Sequence, residues 1–196
     1  MNVIAFRSRR CAALPLTVFL MFGLPALLPA PAIAQEKALA PENNPPGDIP
    51  DSQVFVAYRA PQGFSLKVPE GWSRKDRGDS MSFADKYGQI VVSLRPGAAP
   101  TMTSARANEA ADLEKTGRAV KISAITEVKL PAGPAVRIAY TENSEANAVT
   151  GKQIRLESER FLIARGGNVA TLTFSAPAGA DNADQWKLMS DSFAWN

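Results

Sequence analysis

The chain has 196 residues, 22 Lys+Arg against 19 Asp+Glu, one cysteine and no histidine. Arg7, Arg9 and Arg10 account for its whole formal charge of +3 and Cys11 is its single cysteine, so everything beyond the first 34 residues is neutral and free of both Cys and His. That composition excludes a disulfide, a thiolate nucleophile, a Ser-His-Asp triad and a His/Cys zinc or haem site in that part of the chain. A neutral remainder also gives no reason to expect nucleic acid or an anionic membrane as partner.

Residues 1–34 read as a secretory signal peptide. Three arginines precede an uncharged stretch rich in Leu, Ala, Phe and Val, and Ala32-Ile33-Ala34 is a small-x-small cleavage site ahead of Gln35. The stretch is long enough to span a bilayer, but Pro15, Pro25, Pro29, Pro31 and the Ala-x-Ala ending favour cleavage between Ala34 and Gln35 over an uncleaved anchor. Ser8-Arg9-Arg10 leaves the general secretory and twin-arginine routes both open. The expected location is the periplasm or the exterior, with no stable membrane insertion after cleavage.

Residues 35–51, QEKALAPENNPPGDIPD, hold four prolines and no periodicity, which predicts a disordered Pro-rich linker. A single folded domain is expected over 52–196. Its dominant signal has period two, that of a strand with one buried face. A strand at 54–60 turns through Pro61-Gln62-Gly63 into a second, in which Phe64, Leu66 and Val68 alternate with Ser65, Lys67 and Pro69. Pro69 cannot donate to a ladder and ends that strand. Trp72 is expected to fold back as an apolar plug.

Strands at 80–84 and 89–95 flank DKYG, a hairpin signal. Residues 104–116, SARANEAADLEKT, form a helix closed by Gly117 as its C′ residue. Val120, Ile122, Ala124, Val128 and Leu130 alternate with polar residues, PAGP at 131–134 turns the chain, and Val136, Ile138 and Tyr140 share the next face. Residues 141–152 read as a loop. A strand at 152–165 changes the parity of its apolar residues midway, which predicts a β-bulge near 158–160. Gly166-Gly167-Asn168 closes a hairpin onto 169–176. A last helix at 182–193, capped by Asp181 with Asp184 in its first turn, carries Trp186, Met189 and Phe193 on one stripe. The fold class is therefore α+β: an antiparallel sheet flanked by helices.

The run YRAPQGFSLKVPEGW, the following SFADKYGQIVVSL, the hairpin GKQIRLESERFLIARGGNVATLTFSAP and the closing WKLMSDSFAWN resemble the PsbP-like family, which includes envelope proteins of the DcrB kind. The resemblance covers residues 54–196. It implies an α/β/α sandwich and a non-enzymatic accessory or binding role outside the cytoplasm, with another envelope protein as partner and no cofactor. It carries over no functional residue by position.

Candidate sites are sparse. Arg74, Lys75 and Arg77 after Trp72 read either as an anion- or partner-binding loop or as a solvated connection; these four are the candidate contacts. Trp72, Trp186 and Trp195 either line a ligand groove or belong to the core. Glu157 and Glu159 share a strand face as a carboxylate pair would, or make cross-strand ion pairs with neighbouring arginines. Asp181–Asp184 lacks the ligand spacing of a calcium loop and fits a helix N-terminus. No Gly-rich loop leads from a strand into a helix to cradle phosphate. No catalytic or metal-binding constellation emerges, and the expectation is a non-enzymatic binding or scaffolding protein. The alternatives are a small apolar-ligand or lipid carrier and, behind it, a hydrolase using carboxylates alone.

Overall fold

The computed structural model describes residues 36–196. The expected signal peptide and the expected cleavage point between Ala34 and Gln35 lie outside the described residues. Among the described residues no helix is long and apolar enough to cross a membrane.

The chain forms an α+β fold with two antiparallel sheets. Strands β1 (Phe55–Ala60), β2 (Phe64–Pro69) and β10 (Ala194–Trp195) make a small sheet in the order β1-β2-β10. Strands β3 (Ser73–Arg77), β4 (Ser80–Ala84), β5 (Gln89–Pro96), β6 (Lys121–Leu130), β7 (Gly133–Asn143), β8 (Arg155–Arg165) and β9 (Asn168–Pro177) make a large one in the order β3-β4-β5-β9-β8-β7-β6. Helix α1 consists of an α-turn Met102–Ala105, a π-helical segment Arg106–Ala110 and a second α-segment Ala111–Thr116; helix α2 is Ala183–Ser192.

Period-two alternation sorts each inner strand between two cores. On one face of the large sheet Met81, Phe83, Ile90, Val92, Phe161, Ile163, Leu172 and Phe174 pack with Phe64, Leu66 and Val68 of β2 and with Trp186, Met189 and Phe193. The Phe64 ring stacks on Phe193 with centroids 5.6 Å apart, and Phe174 stacks on Trp186 at 6.0 Å. On the opposite face Val136, Ile138, Tyr140, Leu162 and Val169 pack under Ala105 and Leu113 of α1. The π-helical segment accommodates a spacing of five between the buried Ala105 and Ala110, which a regular helix would rotate off the sheet.

Several expectations need correction. Residues 36–50 lack regular structure, as their prolines dictate, but they lie as a strap on the domain instead of forming a disordered linker. Ile49 is buried in the larger core. Asn143 accepts the Leu39 N–H and donates to Glu36 and the Lys37 carbonyl; Asn182 holds Ile49 and Gly47 in the same way. Backbone groups without a ladder are here satisfied by buried asparagine side chains. The folded body therefore begins before Ser52.

Strand β8 carries no bulge: its register with β7 and β9 is continuous. Its parity change reflects its central position, where Phe161 and Ile163 enter one core and Leu162 the other. The bulge lies in β6, between Ile122 and Ala124, and resets parity so that Ile122 and Ile125 both face α1. The N-cap of α2 is Asn182, not Asp181, and its side chain is engaged with the strap instead of the helix. Gly117 ends α1 with φ −83°, an ordinary value. A Cβ there would sit 2.5 Å from Val120 Cγ2 and 2.8 Å from the Leu113 carbonyl oxygen, so close approach and not handedness calls for glycine.

Candidate functional site

Helix α1 covers the large sheet over β6, β7 and part of β8. Beyond it the same face continues across β9, β5, β4 and β3, where among the described residues no helix covers it and where, apart from Val169 and Val91, most residues are polar. Cross-strand register lines up Thr171 with Ser93, Thr173 with Val91, and Ser175 with Gln89. It then lines up Ser82 with Val91 and with Lys75, and Ser80 with Ser93 and with Arg77. These residues are the polar partners in the alternations whose apolar members build the larger core, so a single periodicity makes both the core and this surface.

A groove of about 630 Å³ runs along the foot of α1, between Asn108, Glu109 and Asp112 of the helix and Tyr140, Glu142, Arg160, Thr171, Thr173 and Ser175 of the sheet. A smaller depression of about 220 Å³ continues it over β4 to Lys75 and Arg77, and the two share Gln89 and Val91.

The groove is closed at one end by an ion pair between Arg95 and Glu109, whose carboxylate is largely buried. Arg160 lies along its floor, donating from Nε to Thr173 Oγ1 at 3.1 Å, with its guanidinium 5.9 Å from the Tyr140 ring centroid. Ser158 and Ser175 share a hydrogen bond of 2.8 Å. Burial pushes the Glu142 carboxyl above its ordinary value, against the pull of Arg160 and Arg155. Burial likewise raises the Tyr140 phenol. The ends of the groove thus carry both signs of charge, and its middle carries hydroxyls that donate and accept alike.

The four contacts named from sequence divide between two sides. Arg74, Lys75 and Arg77 lie on strand β3, not in a loop, and all three are exposed. Lys75 and Arg77 stand on the groove face. Arg74 turns the other way, pairing with Asp76 at 3.4 Å and lying 5.2 Å from the Tyr58 ring centroid. Trp72 packs half-buried against the larger core, its ring so close to Gly88 that a Cβ there would lie 2.5 Å from Cη2. Trp186 is buried and Trp195 half-buried, both in the packing of the small sheet and α2, so the three tryptophans line no common groove.

Glu157 and Glu159 differ in environment. Glu159 pairs with Arg137, while burial, with Glu159 adding to it, raises the Glu157 carboxyl. They open on the face opposite the groove, in a depression that also reaches Asp181 and Trp186. Among the described residues no three His, Cys, Asp or Glu side chains converge as metal ligands.

The sequence reading passed over Thr171, Thr173 and Ser175. Their signal was present: three hydroxyls at alternate positions of a strand whose apolar residues are buried.

No family model matches the sequence, and no curated protein matches it. Solved structures share its architecture at low identity. The chain is similar to cyanobacterial PsbP from Synechocystis sp. PCC 6803, at 14% identity and a TM-score of 0.49, over 76% of this chain and 98% of that one. It is similar to the Ran-binding protein Mog1p of Saccharomyces cerevisiae at 12% identity and 0.49, over 74% and 96%. A protein from Bacteroides thetaiotaomicron matches at 16% and 0.47, over 71% of this chain; the chain spans about half of that protein's length, 48%. What these share is a β-sheet with flanking helices, across proteins of unlike description. Each of these is a likeness of fold at low identity, and none shows a family for this chain.

Proposed function

We propose that the domain works by binding and not by turnover, as an accessory module for another envelope protein outside the cytoplasm, and that the hydroxyl-lined groove is its recognition surface. One observation carries this reading. An inner strand of a seven-stranded sheet presents Thr171 and Ser175 half-buried at the groove, with the buried Thr173 between them, although α1 shields the neighbouring half of the same face. Uncovered hydroxyls on a rigid sheet exchange water for a partner's polar groups at little conformational cost, because the strand backbone is already fixed.

The same lining gives no support to an apolar-ligand carrier, which needs a pocket walled mainly by hydrophobic side chains. The extracytoplasmic setting rests on the signal-peptide features of residues 1–34. The test fills the groove. Ser93 and Thr171 are directly opposed across β5 and β9, and replacing both by Trp should leave the melting temperature nearly unchanged while abolishing the capture of partners from envelope extract. Undiminished capture by the filled groove would remove this surface from consideration.

A further inference from the structure

We infer that strand β3 is an open docking edge that accepts an extended acidic segment of a partner protein as an added antiparallel or parallel strand. The inference rests on the binding reading above and names the chemistry of the partner.

The large sheet has two edges, β6 and β3. The β6 edge is interrupted by its bulge at Ile122/Ala124 and carries charges of both signs, Lys121, Glu127 and Lys129. Bulges and mixed charge are standard ways of closing an edge to pairing. Strand β3 carries no bulge, and its charge is predominantly of one sign. Its five residues pair with β4 in unbroken register, and all five are exposed. Among the described residues its backbone on the side away from β4 has no partner strand, leaving a row of N–H and C=O groups available for ladder formation.

The side chains say which strand could join. Of the four charged residues of Ser73–Arg77 three are basic, and the one acid, Asp76, is engaged by Arg74. Among the described residues Lys75 and Arg77 have no ion-pair partner. They lie two apart, on the face that carries the groove, next to the small side chains of Ser80 and Ser82. An added strand with acidic residues at alternate positions would set its carboxylates beside them, since cross-strand neighbours share a face. A second copy of β3 paired antiparallel would set Lys75 against Lys75 on the groove face, so the charges that attract an acidic segment there repel a second copy, while on the other face Arg74 would meet Asp76.

The experiment uses two nine-residue probe peptides, one of alternating Glu and Thr and one of alternating Lys and Thr. Their binding to the protein is followed by fluorescence anisotropy, with amide hydrogen exchange read along β3. The Glu peptide should bind at low ionic strength, weaken as salt rises, and protect alternate β3 amides. The paired substitution Lys75→Glu/Arg77→Glu should weaken it by about tenfold and turn the preference toward the Lys peptide. Because those side chains are exposed, the variant should keep the parent's melting temperature; Lys75→Gln/Arg77→Gln gives an intermediate result by the same logic.

Failure of the Glu peptide to bind, equal binding of both peptides, or equal binding of a short polyphosphate would overturn the inference. So would binding without added protection at β3. Should the groove-filling variant lose partner capture while the β3 charge reversal leaves capture intact, the groove stands as the recognition surface and the edge proposal falls.

Discussion

Asn182 accepts the backbone N–H of Ile49 through Oδ1 at 2.7 Å, and its amide donates to the Gly47 carbonyl at 3.0 Å. This one buried side chain fastens the strap of residues 36–50 to the start of α2. Replacing Asn182 by Ala leaves a buried donor and acceptor unpaired and should cost about 1–3 kcal/mol. A chain beginning at Ser52, which also loses Ile49 from the core, should melt clearly below one beginning at Gln35. Equal melting temperatures for the two would show that the strap contributes nothing to the fold.

Trp186 is 7% exposed and stacks on Phe174 with an interplanar angle of 18°. It joins α2 to the large sheet. Trp186→Ala should cost about 3–5 kcal/mol in urea unfolding, the usual range for removing a buried aromatic. An unchanged urea midpoint would contradict that role.

Gly117→Ala tests a close approach. The new Cβ would meet the Leu113 carbonyl at 2.8 Å, a backbone atom with no rotamer to escape into. A loss of about 1–3 kcal/mol is expected, as for other overpacked sites. Parent-like stability would show that the turn after α1 has room.

Glu142 supplies a pH prediction. Its carboxyl is raised above 4.5 by burial, so the folded protein holds the proton more tightly than the unfolded chain does. Stability from this group is then fully present below the unfolded value and is lost as pH rises toward the folded one. Glu142→Gln, which cannot ionise, should be more stable than the parent at pH 7, and the gap should close as pH falls toward 4.5. Glu157 contributes in the same direction and Glu36, whose carboxyl is lowered chiefly by its hydrogen bond from Asn143, in the opposite one, so the comparison must be between variants and not along one curve. A gap independent of pH would contradict the burial of the Glu142 carboxyl.

Strands with one buried face were legible from sequence because alternation is the direct imprint of burial: Phe64, Leu66 and Val68 were read correctly, as was the stripe Trp186, Met189 and Phe193. Strand β3 was not, because Ser73–Arg77 is exposed on both faces and has no apolar residue to alternate. The β8 parity change was legible but had two physical causes, a bulge or a central position, and sequence alone does not separate them. The strap was hidden because it packs through single residues, Ile49 above all, and through asparagines elsewhere in the chain. The groove was half visible. The strand at 169–176 was located but Thr171, Thr173 and Ser175 were not singled out, and what opens the groove beside them is where α1 lies on the sheet, a tertiary property of its length and position.

The most direct test of the binding groove is a photo-crosslinking scan on the intact protein in envelope extract. A photoreactive residue is placed in turn at Ser93, at Thr171, and at Lys187, an exposed residue of α2 on the far side of the sheet. Adducts to one partner from positions 93 and 171, with none from 187, are the result expected if the groove is the recognition surface. Adducts from 187 alone would place recognition on the α2 side and contradict the account.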